Sequence, residues 1–235
     1  MTGIKGGGGE TTLVSSGSQE TVYADCRHSL AVLEAVRERM EAAAERIGRP
    51  VVAGLGGPGG TGKSTIARYL CARTAGCAVL PLDDYRKPRA ARAASGLLGS
   101  HPEVNRLGLL REHVAAARRG EAVERPVFDP SAGEARTTER VGPARILIAE
   151  GEIAAHRGLA DAFDLRILVE AHWRTQLHTR LTRDIRERKC SLERAIEVYL
   201  QSNLRDYPAF ADPAADIVLY RTRNGRLKLR TVGGT

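Results

Sequence analysis

The stretch Gly57-Pro58-Gly59-Gly60-Thr61-Gly62-Lys63-Ser64 constrains this chain more than any other feature. It satisfies G-x-x-x-x-G-K-[ST]. It lies between a short apolar run, Val51 to Leu55, and a segment where Ile66, Ala67, Leu70 and Cys71 recur at helical spacing. Strand, glycine-rich loop and helix together are the context in which that pattern cradles a polyphosphate. Glycines let successive backbone N–H groups point into one concavity, and the helix that follows adds its positive dipole end. Lys63 is then placed to reach the β- and γ-phosphates, and the Ser64 hydroxyl to ligate Mg²⁺. Gly57, Gly59, Gly60, Thr61 and Gly62 complete the cofactor-binding loop. Thr65, at its edge, suits packing or capping better than ligation.

The rest of the chain supplies an α/β frame for this loop. Further short apolar runs fall at 78–82, 146–149, 165–169 and 217–220, separated by helical patterns at about 103–119, 174–188 and 192–204. Strands alternating with helices predict a parallel sheet with helices on both faces. Aromatics are only 4% of the 235 residues, so the core rests on Val, Leu, Ile and Ala, as such sheets often do. The length fits one domain, 21–235, behind a disordered tail at 1–20 whose glycine run and polar residues bury little. From Ser29, the spacing of Val32, Val36, Met40, Ala43 and Ile47 predicts an amphipathic helix stopped by Gly48 and Pro50. Residues 120–143, with three prolines and three glycines, read as an irregular arm or short hairpin. A hairpin is also expected around Asn224-Gly225.

Charge and cysteine usage narrow the class. The net charge of +8 favours an anionic partner: nucleic acid, a membrane surface or a phosphorylated small molecule. The basic residues are spread out and no aromatic-interleaved basic module occurs, so nucleic acid is not expected. No apolar run approaches the roughly 20 residues that span a bilayer, and no membrane partner is expected. Cys26, Cys71, Cys77 and Cys190 form no CxxC pair, which fits reduced thiols and a cytoplasmic location. The six histidines show no zinc spacing. Homo-oligomer or monomer is left open.

A phosphate cradle alone is compatible with a switch, a motor, an assembly ATPase or a kinase. There is no Asn-Lys-x-Asp segment for guanine, and the strand at 146–149 ends in Glu150-Gly151-Glu152 where most motor ATPases carry Asp-Glu. A small-molecule kinase leads, with a nucleotide-gated switch or ATPase lacking a small acceptor as the alternative. Leu82-Asp83-Asp84-Tyr85 sets two acids at the carboxyl end of the second strand, where open α/β sheets collect ligands. A lone Asp there more often caps a helix, but beside a phosphate cradle a carboxylate can take the proton of an attacking hydroxyl.

Over roughly residues 50–220 the chain resembles the uridine kinase and phosphoribulokinase family of P-loop kinases. The acceptor motif Leu82-Asp83-Asp84-Tyr85, the turn His101-Pro102-Glu103, the hairpin Pro126-Val127-Phe128-Asp129-Pro130 followed by Arg136, the strand Ile148-Ala149-Glu150-Gly151-Glu152-Ile153 and the lid stretch Arg180–Arg188 carry the likeness. The resemblance implies a P-loop NTPase fold with a five-stranded parallel sheet, a lid helix at 174–190 and a hairpin-like substrate arm at 120–143. It also implies ATP with Mg²⁺ and a small-molecule hydroxyl acceptor. Asp83 is the implied base, Ser64, Asp83 and Glu150 the magnesium-side oxygens, and Arg180, Arg183 and Arg188 the lid cations, with Arg180 on the nucleotide. Asp83, Tyr85, His101, Phe128, Arg136 and Glu150 are the implied acceptor-side residues. Leu177, Leu181 and Ile185 should anchor the opposite face of the lid helix, and Trp173 should pack at its base. Lid and arm are expected to close on substrate.

Departures from the family pattern are as informative. Uridine kinases of the family carry an Asp before His-Pro, a His in the hairpin, and an Arg and a Gln near the lid. This chain has Ser100, Gly133, Cys190 and Val198 at those places. The nucleotide-handling set is largely kept and the pyrimidine-reading set is not. An acceptor other than plain uridine or cytidine follows: a modified nucleoside, a sugar or a polyol.

Overall fold

The structure, a computed structural model, describes residues 16–230, with side chains from residue 27 onward. Its main sheet has six strands in the order β2-β5-β1-β6-β7-β8. These are β1 (Val51–Gly56), β2 (Cys77–Pro81), β5 (Ile146–Glu150), β6 (Leu165–Ala171), β7 (Ile217–Arg221) and β8 (Leu227–Arg230). The first five are mutually parallel. β8 returns antiparallel to β7, with Arg221 opposite Leu227. The expected count of five therefore holds for the parallel part only. The hairpin at Asn224-Gly225 adds the sixth strand, because Leu227 buries its side chain in the same core as β7 and its backbone N–H donates to Ser29 Oγ at 3.1 Å.

Why these segments form a sheet is visible in their burial. All six residues of β1 and the first four of β5 are buried. Successive side chains alternate between the faces. Val51, Ala53 and Leu55 join Ile146 and Ile148 under α1 (Ser16–Ile47) and α2 (Lys63–Ala72). Val52, Leu147 and Ala149 face α4 (Leu107–Arg118) through Leu110 and Val114. Each fully buried Val, Leu or Ile contributes about 1.5–3 kcal/mol of hydrophobic stabilisation.

α1 starts at Ser16, so residues 16–20, placed in the tail by composition, are its first turns. No glycine or proline interrupts Ser18 to Ile47. Residues 1–15 of that expected tail lie outside the described residues. The buried face runs through Leu33, Val36, Met40 and Ala44, rotated slightly from the spacing-based face, with Val32 only partly covered.

The arm is regular: β3 (Val123–Asp129) and β4 (Glu134–Val141) form a two-stranded antiparallel hairpin with one irregularity at Val127/Phe128. Asp84 ties it down, pairing with Arg125 and accepting from the Phe128 N–H at 3.0 Å. The short α3 (Arg89–Ala93) lies beside it, its Arg89 N–H donating to the Gly133 carbonyl at 2.7 Å. The expected lid stretch, 174–190, falls on α5 (Trp173–Arg186) and the turn after it; α6 (Leu192–Tyr199) follows, then a π-helical stretch at Leu200–Asp206 that runs into α7 (Tyr207–Phe210). No helix among the described residues is long and apolar enough to cross a membrane.

Candidate active site

The turn after β1 is forced into shape by sterics. Gly57 has φ 144, and a Cβ there would sit 2.2 Å from the Val169 carbonyl oxygen of β6. Backbone of a central strand cannot yield that space, so Gly57→Ala should cost about 2–4 kcal/mol of stability and displace the loop, measurable by urea unfolding and nucleotide titration. Inside the turn, Thr61 Oγ1 donates to the Pro58 carbonyl at 3.0 Å and is fully buried. Lys63 Nζ donates to the same carbonyl at 2.9 Å. Gly62, left-handed at φ 97, is the N-cap of α2. Burial lowers the Lys63 pKa, opposed by the nearby charges of Glu152, Glu150 and Asp83. Ser64 is exposed, and its hydroxyl bonds to Glu150, whose carboxyl is raised by desolvation against the pull of Lys63. Thr65 is exposed beside a second cleft of about 250 Å³, which Leu33, Tyr69 and Arg221 also line.

Because all parallel strands point the same way, their following residues converge at the carboxyl edge of the sheet, where ligands bind in such folds. A cavity of about 670 Å³ opens there, within the usual range for small-molecule sites. Asp83, after β2, faces into it with a side chain that is 57% exposed, and Arg86 pairs with it at 2.7 Å. Desolvation in the cleft pushes the Asp83 carboxyl up. Arg86 and then Lys63 outweigh this and hold it below the ordinary Asp value. Its neighbour Asp84 is spent on the arm.

Arg180, Arg183 and Arg188 all line this cavity. They share one buried carboxylate, Asp184, at 3.6, 3.1 and 3.2 Å respectively. Arg180 is 4% exposed and lies against the phosphate loop, where a Cβ on Gly59 would come within 1.9 Å of its Nη1. The aliphatic anchor expected on the other face is not the buried one. Leu177 and Leu181 are half-buried and Ile185 is exposed, whereas Arg180 and Asp184 are the buried positions of α5. The polar face packs inward because residues distant in sequence satisfy it. Arg180 Nη1 donates to Ser202 Oγ at 3.2 Å and to Asn203 Oδ1, and pairs with Glu152 at 3.5 Å. Asn203 Nδ2 donates to the Gly59 carbonyl at 2.8 Å and to Gln176 Oε1 at 3.0 Å. Ser202 Oγ donates to Glu152 Oε2 at 3.0 Å.

Glu152, Gln176, Ser202 and Asn203 are thus structural partners of the phosphate loop that the sequence did not mark as such. The one available signal was Glu152, in the run after β5. Ser202 and Asn203 sit in the π-helical stretch, a distortion common at functional sites and without a sequence signature.

The acceptor-side candidates divide. Phe128 lines the cavity, with the Arg86 and Arg92 guanidiniums 5.8 and 5.9 Å from its ring centre. Glu150 stands at the loop with Ser64. Tyr85 instead turns into the core, fully buried, its hydroxyl 2.7 Å from His113 Nδ1. His101 caps the turn at Pro102–Val104, accepting from the Glu103 N–H at 3.3 Å, and its ring packs edge-on to Phe210. Arg136, on β4, is 64% exposed with Glu134 3.8 Å away, and it does not line the cavity. Trp173 is 54% exposed, between the Arg174 guanidinium 5.0 Å from its ring centre and the stacked ring of His172, and is not buried at the helix base. Two departure positions, Ser100 and Val198, do line the cavity.

No group of three or more His, Cys, Asp or Glu side chains among the described residues could hold a metal by itself. The oxygen set of Ser64, Glu150 and Asp83 fits magnesium, which is commonly held by one or two carboxylates and completes its shell with phosphate oxygens and water.

A model of the Phosphoribulokinase / Uridine kinase family matches residues 52–226. Uridine kinase of Oceanobacillus iheyensis is 29% identical over 181 residues, covering 73% of this chain and 86% of that protein. Chloroplastic phosphoribulokinase of Triticum aestivum is 28% identical over 186 residues, 70% of this chain but 46% of that enzyme. Among solved structures, a candidate fructose transport system kinase from Silicibacter sp. TM1040 superposes with a TM-score of 0.62 at 23% identity, over 72% of this chain and 89% of that one. The YGR205w protein gives 0.59 at 16% identity, over 86% and 99%. At these identities the solved structures speak to the fold.

Proposed function

Because the chain belongs to the Phosphoribulokinase / Uridine kinase family and is a P-loop kinase of that type, we propose that it transfers the γ-phosphoryl group of ATP to a hydroxyl of a small metabolite other than plain uridine or cytidine. One observation carries the proposal: Asp83 opens into the same cavity as the lid arginines, next to the phosphate loop. A carboxylate and three arginines around one volume, with the phosphate cradle packed against Arg180 at its edge, are the parts that phosphoryl transfer needs.

The roles follow from position. The loop amides, Lys63 and Arg180 hold the phosphates, and the 250 Å³ cleft beside Thr65 takes the nucleoside end, with Leu33 of α1 as part of its wall. Magnesium, when bound at Ser64, Glu150 and Asp83, supplies positive charge at phosphate oxygens. Asp83 orients the acceptor hydroxyl and accepts its proton as the new O–P bond forms. The bond between the γ-phosphorus and the β-bridging oxygen breaks, leaving ADP and a phosphomonoester. Arg183 and Arg188 face the charge that spreads over the transferred group. Ser100 and Val198 line the acceptor end without the Asp and Gln that uridine kinases carry there. The named relatives are kinases, so the switch alternative finds no support in them.

A screen of nucleosides, sugars, polyols and their derivatives for stimulated ADP formation tests this reading. At least one compound should raise the rate well above basal hydrolysis. Uridine turned over as efficiently as the best substrate would overturn the acceptor assignment.

A further inference from the structure

Six of the seven large apolar side chains that stand exposed among the described residues belong to α5, α6 and the π-helical stretch. Four of these fall in one line: Leu192, Ile196, Leu200 and Leu204 recur at i, i+4, i+8 and i+12 and are 38% to 57% exposed. Helical residues four apart share a face, so they make a continuous apolar stripe.

The stripe has no way to turn inward. Ala195, Tyr199, Ser202, Asn203 and Asp206 are the buried positions of the same run. Ser202 and Asn203 accept from Arg180, and Asn203 Nδ2 donates to the Gly59 carbonyl of the phosphate loop. Rotating the run to bury its leucines would strip those partners from the loop. A largely polar face is thus committed to the site while an apolar face meets solvent, the reverse of an ordinary surface helix. Contiguous apolar surface rimmed by charge marks a place of interaction.

The charges along its edge say what fits there. Glu193, one residue past Leu192, is exposed and has no cationic partner among the described residues. Arg205, one residue past Leu204, is 64% exposed and spends its Nε on Asp206 at 2.7 Å, which leaves its Nη groups for another acceptor. Acid and base therefore stand at opposite ends of the same edge. A second copy laid antiparallel, with a twofold axis between Ile196 and Leu200, sets Ile196 on the partner's Leu200, Leu192 on the partner's Leu204 and Glu193 beside the partner's Arg205. Laid parallel, the stripe would set Glu193 against Glu193 and Arg205 against Arg205. Charge selects the antiparallel pair, which is self-complementary as a twofold interface must be.

We propose that this stripe is the contact through which two copies of the chain pair antiparallel. It is about 18 Å long on a helix about 10 Å wide, well under the roughly 800 Å² per partner of a standard interface, so the dimer is weak and depends on concentration. The pairing is independent of the kinase reading.

Sedimentation equilibrium of the full chain from about 5 to 500 µM tests it, the range in which small interfaces associate. A monomer–dimer equilibrium is expected in the parent, weakened at least about tenfold in Ile196→Ser/Leu200→Ser because both copies lose apolar contact. Glu193→Arg sets like charges together and should weaken it about 3- to 10-fold. Thermal melts show whether each variant is folded, and Leu192→Ser/Leu204→Ser repeats the test at the outer pair should the inner variant melt early. A parent that stays monomeric over the whole range overturns the pairing, whether the stripe is then covered by this chain on closure or by a different protein. A dimer whose constant ignores both serine pairs has its interface elsewhere and overturns it too. Weakening by the serine pairs without weakening by Glu193→Arg overturns the antiparallel register.

Discussion

Asp83→Asn is expected to lower acceptor-stimulated ADP release by about 10²- to 10⁴-fold while leaving ATP affinity within about twofold. The amide keeps the size of the carboxylate and its position after β2 but cannot take a proton. On the proposed roles the loop and Arg180 hold the phosphates, and magnesium keeps Ser64 and Glu150 when Asp83 becomes an amide, so nucleotide binding should change little. The same carboxyl predicts the pH profile. Desolvation in the cleft pushes its pKa up, and Arg86 followed by Lys63 more than reverses this. The carboxyl is therefore ionised throughout the neutral range, and the acid limb of kcat/KM is expected below the ordinary Asp value of about 3.9. Removing a nearby positive charge raises a carboxyl pKa, so Arg86→Gln should move that limb to higher pH. A carboxylate with a lowered pKa is a weak base, and much of its contribution is orientation of the hydroxyl, as in other phosphoryl transfers. Asp83→Asn with parental acceptor-stimulated turnover would remove Asp83 from the chemistry.

The largest effect on stability is expected at Arg180. Replacing it with Met should cost about 3–5 kcal/mol in urea unfolding, because a buried charge network loses its centre. The guanidinium is 4% exposed and joins Glu152, Asp184, Ser202 and Asn203 against the phosphate loop. Without it Glu152 keeps only the Ser202 hydroxyl within the network, and the Asn203 carbonyl oxygen loses its donor. Nucleotide affinity should fall in the same variant, since Arg180 lies directly on Gly59. Arg183 makes the contrasting case. Its side chain is 35% exposed, so Arg183→Gln should change stability by less than about 1 kcal/mol and act on turnover alone. An Arg180→Met protein as stable as the parent would show that the lid is not fastened to the loop in this way.

What the sequence made legible was whatever is local and periodic. Continuous apolar runs located the five parallel strands, because a strand covered on both faces has no polar alternation to disguise it. The phosphate loop was readable since one short segment contains all of its geometry. The lid face was misjudged for the converse reason. Leu177, Leu181 and Ile185 form a stripe at i, i+4 and i+8 that normally packs inward, but Arg180 and Asp184 are buried by partners at 152, 202 and 203 that no local pattern displays. Tyr85 and His101 stand in segments that matched a motif, yet their side chains turn to His113 and Phe210, and a motif does not specify a side chain's direction. The arginines at 86, 89 and 92 were visible only within a net charge of +8. They gather at one cavity because the turn after β2, α3 and the hairpin meet there.

The most direct test of the central claim follows the phosphoryl group itself, because ADP release alone does not separate transfer to an alcohol from hydrolysis. The enzyme is incubated with magnesium, ATP labelled with ¹⁸O in its γ-phosphoryl oxygens, and the acceptor panel, and the products are read by mass spectrometry. The label is expected in an organic phosphomonoester, and its appearance there should be lost with Asp83→Asn. Label found only in inorganic phosphate, with every acceptor present, would contradict transfer to an alcohol.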